Sequence, residues 1–214
     1  MSDTVPKHYS DIVESYEEYV DLQKNKYYSS EREVDLWSEG QTRYIKENFA
    51  NVEKDKKIID IACGDGVGLS EFKKLGFQSV EGVEFNEKKY NLAISLGLKV
   101  HCLDMHDLSF LEDNSYDIIY SSHTLEHAYY PSVVMKEFHR ILKKDGLLYI
   151  VLPYPESPNM FQECHGGKYE MGGHIKDDAV SLINFFKKNK FELISKKYDH
   201  FRQDEVWMVL SRVL

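Results

Sequence analysis

Three cysteines, at positions 63, 102 and 164, are too few and too scattered for a disulfide framework or a paired C-x-x-C zinc site. A reducing, cytoplasmic setting fits that usage. No apolar run approaches the ~20 residues needed to span a bilayer. The acidic, polar start MSDTVPKHYSDIVESYEEYV does not read as a signal peptide. No membrane partner is expected. Positive charge is also short: 27 lysines and arginines face 36 aspartates and glutamates, a formal charge of −9. Nucleic-acid binders neutralise phosphates and carry a basic surplus, so no RNA or DNA partner is expected. There is no internal repeat, low-complexity tract or Pro/Ser linker. The 214 residues leave room for one sizeable domain or two very small ones.

What is present is the composition of a soluble globular chain, 42% hydrophobic and 29% charged. Residues 1–56 carry 13 acids against 8 bases and six tyrosines, at positions 9, 16, 19, 27, 28 and 44. Trp37, Tyr44, Ile45 and Phe49 recur at helical spacing. This stretch is expected to be a helical cover on the domain that follows, residues 57–214.

From Lys57 the rhythm is strand, turn, helix, repeated. Lys57–Ile61 is a short β-branched run, as buried parallel strands are. Further strands are expected at 79–84, 98–102, 116–121 and 146–152. Helices between them place Leu69, Phe72 and Leu75, then Leu92, Ala93 and Leu96, then Val134, Phe138 and Ile141 on their core faces. Gly76 and Gly97 suit helix ends, Asn86 and Asp177 suit helix starts, and Pro131 suits a first turn. Residues 191–198 and 206–213 read as an antiparallel C-terminal hairpin. The fold class is α/β, a Rossmann-like, mostly parallel seven-stranded sheet with helices on both faces. Such sheets bind ligands beyond the carboxyl ends of their strands. Five loops are thereby selected, at 63–68, 84–86, 103–106, 122–130 and 153–176.

Gly64, Gly66 and Gly68 are spaced G-x-G-x-G. A dinucleotide fingerprint needs its third glycine at position 69, which is Leu. Asp65 would also stand close to a pyrophosphate. Both details speak against a nicotinamide or flavin cofactor, and no G-K-[ST] is present for a Walker loop. Glu84 ends the second strand 20 residues after Gly64, where a carboxylate can accept from both hydroxyls of a ribose.

These residues carry a family resemblance. IIDIACGDGVGLS resembles motif I of the class I S-adenosylmethionine-dependent methyltransferases, and VEGVEFN resembles motif II. CLDMHDL is similar to the segment carrying the adenine-contacting acid. YDIIYSSHTLEHAYYP, with its L-E-H, is similar to the fourth-strand motif of the type-11 subgroup. ILKKDGLLYIVLP resembles the helix and strand after it. The resemblance implies a cofactor site built from Asp60, Cys63, Gly64, Gly66, Glu84, Phe85, Asp104, Met105 and Ser121. In it Asp60 orients the loop and the methionine amino group, and Gly64 and Gly66 lie against the methionine part. Glu84 holds the ribose, Asp104 accepts from the adenine amino group, and Phe85 and Met105 flank the ring. Ser121 offers its carbonyl to the ammonium. The product would be S-adenosylhomocysteine. Cys63 fits the small-residue packing of the loop better than a nucleophile.

Five of the nine histidines fall in the carboxyl-end loops, at 106, 123, 127, 165 and 174. A neutral imidazole is a usable base near pH 7. His123, His165 and His174 are the candidates to remove a proton from the acceptor, His123 first. His127 and Glu126 belong to the L-E-H pattern and are read as structural. The segment at about 153–176 is long for a loop, and long loops in compact domains are often functional. It holds three of the five prolines and four of the twelve glycines. It is expected to be a lid over the acceptor, with Tyr129 and Tyr130 packed beneath it. Glu163, Cys164, His165 and His174 lack a recognised metal spacing, so no metal is expected. The expected activity is transfer of a methyl group to a hydroxyl or amine of a small polar acceptor, a sugar, nucleotide sugar or phosphorylated metabolite. The alternative is a non-catalytic adenosylmethionine-binding module on the same fold. Oligomeric state is not legible.

Overall fold

The computed structural model describes residues 5–26 and 34–213. Seven strands form one sheet: β1 (Lys57–Ile61), β2 (Ser79–Val83), β3 (Val100–His101), β4 (Tyr116–Ser122), β5 (Leu142–Pro153), β6 (Phe191–Asp199) and β7 (Glu205–Arg212). Their order is β3-β2-β1-β4-β5-β7-β6. The first five are parallel, and β7 runs antiparallel to both β5 and β6. The C-terminal hairpin is therefore inserted so that β7, its second strand, lies against β5. Because β7 opposes β5, it begins at the carboxyl end of β5, with Glu205 opposite Pro153.

The described residues form seven α-helices: α1 (Tyr16–Asp21), α2 (Val34–Phe49), α3 (Val67–Lys74), α4 (Glu87–Ser95), α5 (Pro131–Ile141), α6 (Gly167–Met171) and α7 (Val180–Lys188). Burial of apolar side chains on both sheet faces holds α2 to α7. On one face Tyr44, Ile45 and Phe49 of α2 pack with Leu69, Phe72 and Ala93 against Ile58, Ile118 and Tyr120. On the other, Val134, Phe138 and Ile141 of α5 and Leu182 and Phe186 of α7 pack against Ile59, Ile119 and Ile150. The side chain of Trp37, and Tyr27 and Tyr28, lie outside the described residues. No helix of the described residues is long and apolar enough to cross a membrane.

Several boundaries differ from the sequence reading. The third strand shrinks to two residues because only Val100 and His101 find partners on β2. β5 starts at Leu142 rather than Gly146, its ladder broken by a register shift. Asn86 caps α4 as expected, accepting from the N–H groups of Lys88 and Lys89 at 3.0 and 3.3 Å. Asp177 lies further upstream of α7 than a cap should, yet its carboxylate accepts from Ser181 N at 2.8 Å. The segment at 153–176 is not an open loop. It contains α6 and buries Tyr154, Glu156, Cys164, Lys168 and Met171. Tyr129 joins Tyr9, Val13 and Tyr19 in an aromatic cluster and donates to the carbonyl of Val13 at 3.1 Å. Tyr130 is exposed.

Candidate active site

The carboxyl ends of β1, β2, β4 and β5 surround a cavity of about 480 Å³. At one end the chain leaves β1 through Ala62, whose φ is +59°, and Gly64, also at +59°. A Cβ on Gly64 would meet no atom within 4 Å, so the backbone there is open to a ligand. Glu84, at the end of β2, accepts from Gly64 N at 2.8 Å through one oxygen and from Asn86 N at 2.7 Å through the other. These bonds fix the carboxylate on the cavity wall and leave lone pairs for further donors.

Asp104 follows β3. One of its oxygens accepts from His106 N at 2.9 Å and lies 2.7 Å from His106 Nδ1. The other accepts from the hydroxyl of Tyr16 on α1. Burial pushes the Asp104 carboxyl up, but the His106 contacts and the Tyr16 hydroxyl outweigh it and hold it below its usual range. Cys63, Gly64, Glu84, Phe85, Asp104 and Met105 all line the cavity. Asp60, Gly66 and Ser121 do not. Asp60 is buried beneath the glycine loop, where burial, with the charge of Glu84 second, raises its carboxyl far above the usual range. Gly66 caps α3. Ser121 is fully buried in β4. Burial first, then Asp60 and Glu84, push the Cys63 thiol up, which does not suit a nucleophile.

The other end of the cavity is a charged wall. His123 leaves β4 in the left-handed region, φ +49°. That conformation is uncommon for a residue with a Cβ and turns the ring toward β7. Its Nε2 lies 2.9 Å from Glu205 and its Nδ1 3.6 Å from Glu126. Arg202 and Gln203 approach the same ring at 3.3 Å. Burial lowers the His123 pKa, but the carboxylates of Glu126 and Glu205 beside it more than reverse this and raise it. Trp207 Nε1 donates to Glu205 at 2.6 Å and holds it in place.

His165 also lines the cavity, with Nδ1 2.6 Å from Glu156. Burial pushes it down, but Cys164, Glu156 and Glu126 carry it up to about 10. His127 stands beside it, ring centroids 4.4 Å apart, and its Nδ1–H donates at 2.8 Å to the carbonyl of Cys164, which fixes the proton on Nδ1. Burial, then the charge of His165, carries His127 down to about 3. His174 is not part of this wall. Its Nδ1 faces the carbonyl of Lys168 at 3.4 Å and its ring packs on Tyr169.

Sequence reasoning passed over Arg202, Gln203 and Glu205, which lie between the two strands of the expected C-terminal hairpin. The signal was there: a hairpin whose last strand pairs with the fifth must start at the ligand end of the sheet. It also passed over Gln23, Gln41 and Tyr44, through which the N-terminal segment lines the cavity.

The wall fits a cationic nucleoside ligand. It offers an open glycine turn, a backbone-anchored carboxylate after β2 and another acid after β3, with no lysine or arginine in the glycine loop to receive a pyrophosphate. Comparison with known proteins agrees. Residues 32–196 match the family model described as "Methyltransferase domain". A ubiquinone biosynthesis O-methyltransferase from Pelagibacter ubique is 28% identical over 197 residues, 79% of each chain. One from Neisseria meningitidis is 23% identical over 101 residues, 44% of this chain but only 42% of that protein. The crystal structure of the trans-methyltransferase CalH in complex with SAH superposes with a TM-score of 0.65 at 17% identity, covering 84% of this chain and 57% of that one. The chain belongs to the class I S-adenosylmethionine-dependent methyltransferases.

Proposed function

We propose that this enzyme methylates a hydroxyl of a small polar acceptor, held between His123, Glu126 and the 202–205 turn, with residues 153–176 covering it. The observation that carries this reading is the charged wall at the far end of the cofactor cavity, where His123 is set between Glu126 and Glu205.

When bound, S-adenosylmethionine supplies an electrophilic methyl group on its sulfonium. Glu84 and Asp104 are the residues that would hold its nucleoside, and the turn at Gly64 its methionine part. What the protein adds is alignment of the acceptor, worth several kcal/mol when reacting atoms stand about 3 Å apart. With Nε2 bonded to Glu205, His123 in its neutral form would take the proton of the acceptor hydroxyl on Nδ1. Two carboxylates beside it stabilise the imidazolium that forms, and general-base help of this kind contributes about 10²–10⁴-fold. Arg202 and Gln203 offer donors to acceptor oxygens.

The relative from Pelagibacter ubique is named for O-methylation in ubiquinone biosynthesis, not for a sugar. That favours oxygen over nitrogen as the accepting atom. It gives no support to a glycan precursor, and hydroxylated aromatic acceptors belong beside sugars in any test.

The test is formation of S-adenosylhomocysteine with catechols, phenols, sugars and amines of matched size. Turnover with a hydroxylated compound, lowered about tenfold in Glu205→Gln with cofactor affinity retained, is the expected result. Turnover with amines alone would overturn the hydroxyl assignment. Unchanged turnover in Glu205→Gln would remove the charged wall from the acceptor site.

A further inference from the structure

The segment 153–176 brings two ligating side chains to a third from β4's loop. α6 is jammed against the 125–127 turn: a Cβ on Gly167 would lie 2.7, 2.8 and 2.9 Å from the carbonyl oxygens of Leu125, Ala128 and Glu126. Only glycine lets the two backbones approach so closely. The result sets Cys164 and His165 beside His127, and one ligand atom from each lies within 4.8 Å of the other two. All three residues line the cavity.

We propose that His127, Cys164 and His165 form a binding site for one zinc-type divalent cation on the acceptor wall of the cavity. Two imidazoles and a thiol are the donor set that borderline-soft metals prefer, and they exclude magnesium and calcium, which take oxygen. Three protein ligands with the fourth position open to a cavity is the arrangement of a reactive zinc, not of a closed structural one. Ligands around a tetrahedral zinc stand roughly 3.3–3.8 Å apart, so the cluster needs to contract by about 1 Å.

The surroundings support the assignment independently. Metal-binding histidines are held by a second partner on the other ring nitrogen. Here His127 Nδ1 is bonded to the Cys164 carbonyl at 2.8 Å and His165 Nδ1 to Glu156 at 2.6 Å. Gln23 Nε2 donates to the same Cys164 carbonyl at 3.1 Å and braces it. Negative charge is in surplus. Among the described residues, both carboxylate oxygens of Glu126 and one of Glu156 are buried with no hydrogen-bond partner. The two side chains are only 1% and 4% exposed. Lys168 Nζ, 3.6 Å from Glu156, offsets part of that charge, and His123, 3.6 Å from Glu126, another part. A buried carboxylate without a donor is costly, and a cation beside it removes the cost. Cys164 is a buried free thiol with no disulfide partner to explain it.

What the cation would do rests on the methyl-transfer reading. It would coordinate the acceptor hydroxyl and lower its pKa beside His123, as Lewis-acid metals do for bound oxygen.

The test is direct binding to the full chain after treatment with a chelator. Zn²⁺ in competition with a chromophoric chelator should bind at one ion per chain, and Cys164→Ser and His127→Gln should each weaken it at least 100-fold. Co²⁺ should give a sulfur-to-metal charge-transfer band that Cys164→Ser abolishes. Retained affinity for S-adenosylhomocysteine in both variants shows that they are folded. No stoichiometric Zn²⁺ binding by the parent chain, or an undiminished Co²⁺ band in Cys164→Ser, overturns the site. Stoichiometric, cysteine-dependent metal binding without any methyl transfer would leave the site standing and count against the acceptor reading.

Discussion

The hydroxyl of Tyr16, in the N-terminal helix α1, donates to the carboxylate of Asp104 across 88 residues of chain. The acid expected to accept from the adenine amino group is thus already engaged on one oxygen by Tyr16 and on the other by His106. Its remaining lone pairs are oriented by these donors. Asp104→Ala should therefore weaken S-adenosylhomocysteine binding about tenfold or more, the worth of a charge-assisted hydrogen bond of roughly 1.5–3 kcal/mol. Tyr16→Phe leaves His106 in place and should cost only about twofold to fivefold. Titration calorimetry distinguishes the two. Equal affinities in parent and Asp104→Ala would take Asp104 out of the cofactor site.

Glu84 has two duties that a pair of variants separates. It ties the turn at Gly64 to the end of β2, and it faces the cavity. Glu84→Gln keeps one acceptor oxygen for the backbone but loses the charge. Its cofactor affinity should fall at least tenfold, while its thermal midpoint falls less than that of Glu84→Ala because only one of the two backbone N–H groups loses its acceptor. Glu84→Ala leaves two backbone N–H groups without acceptors and should also lose about 1–3 kcal/mol of stability. Thermal unfolding beside calorimetry reads both. An affinity unchanged in Glu84→Gln would limit Glu84 to the structural duty.

Acid unfolding should show the mark of Glu81. Burial pushes this carboxyl up, but bonds to His101 and Lys99 and the charges of Lys57 and Lys99 outweigh it and hold it at about 2, against 4.5 for the free group. A folded pKa below the unfolded one stabilises the fold fully above pH 4.5, and the contribution drains away as pH falls toward 2. Lys99 is 65% exposed and screened, so the gain is about 1–3 kcal/mol rather than the full shift. Glu81→Gln should be less stable than the parent at pH 7 and match it at pH 2. The same deficit at both pH values would sink the assignment.

These residues differ in how far they could be read in advance. The G-x-G turn, the acid twenty residues later and the alternation of strand and helix are local patterns, because a βα turn is built from neighbours in sequence. The positions that line the rest of the cavity are not. Glu205 reaches His123 only because β7 inserts beside β5, a choice of sheet order that hydrophobic spacing does not encode. His127 meets Cys164 across 37 residues, so no motif joins them. Tyr129 packs with Tyr9 and Tyr19, more than a hundred positions away in the N-terminal segment, so no local pattern announces the cluster. His174 sits in an equally promising stretch but faces away, held over Tyr169.

Gly167 should tolerate no side chain. Three backbone carbonyl oxygens lie within 2.9 Å of where its Cβ would stand, and backbone cannot swing aside as a side chain can. Gly167→Ala should cost about 1–3 kcal/mol, the usual cost of overpacking. It should also part α6 from the 125–127 turn and lower turnover more than cofactor affinity. Chemical denaturation gives the first number and steady-state kinetics the second. Stability within error of the parent would show that the two segments are not in contact in solution.

His123 offers the sharpest separation of folding from catalysis. Its φ of +49° is a conformation that asparagine adopts with less strain than most residues. His123→Asn therefore keeps the backbone turn and offers an amide to Glu205, while losing the imidazole. It should fold and bind S-adenosylhomocysteine as the parent does. With the group placed to take the acceptor proton gone, kcat/KM should fall about 10²-fold. Glu205→Gln keeps the imidazole but withdraws a carboxylate from the imidazolium, and its loss should be smaller, about tenfold. Equal kcat/KM in His123→Asn and the parent would move proton removal elsewhere, leaving His165 as the remaining sequence candidate on the cavity wall.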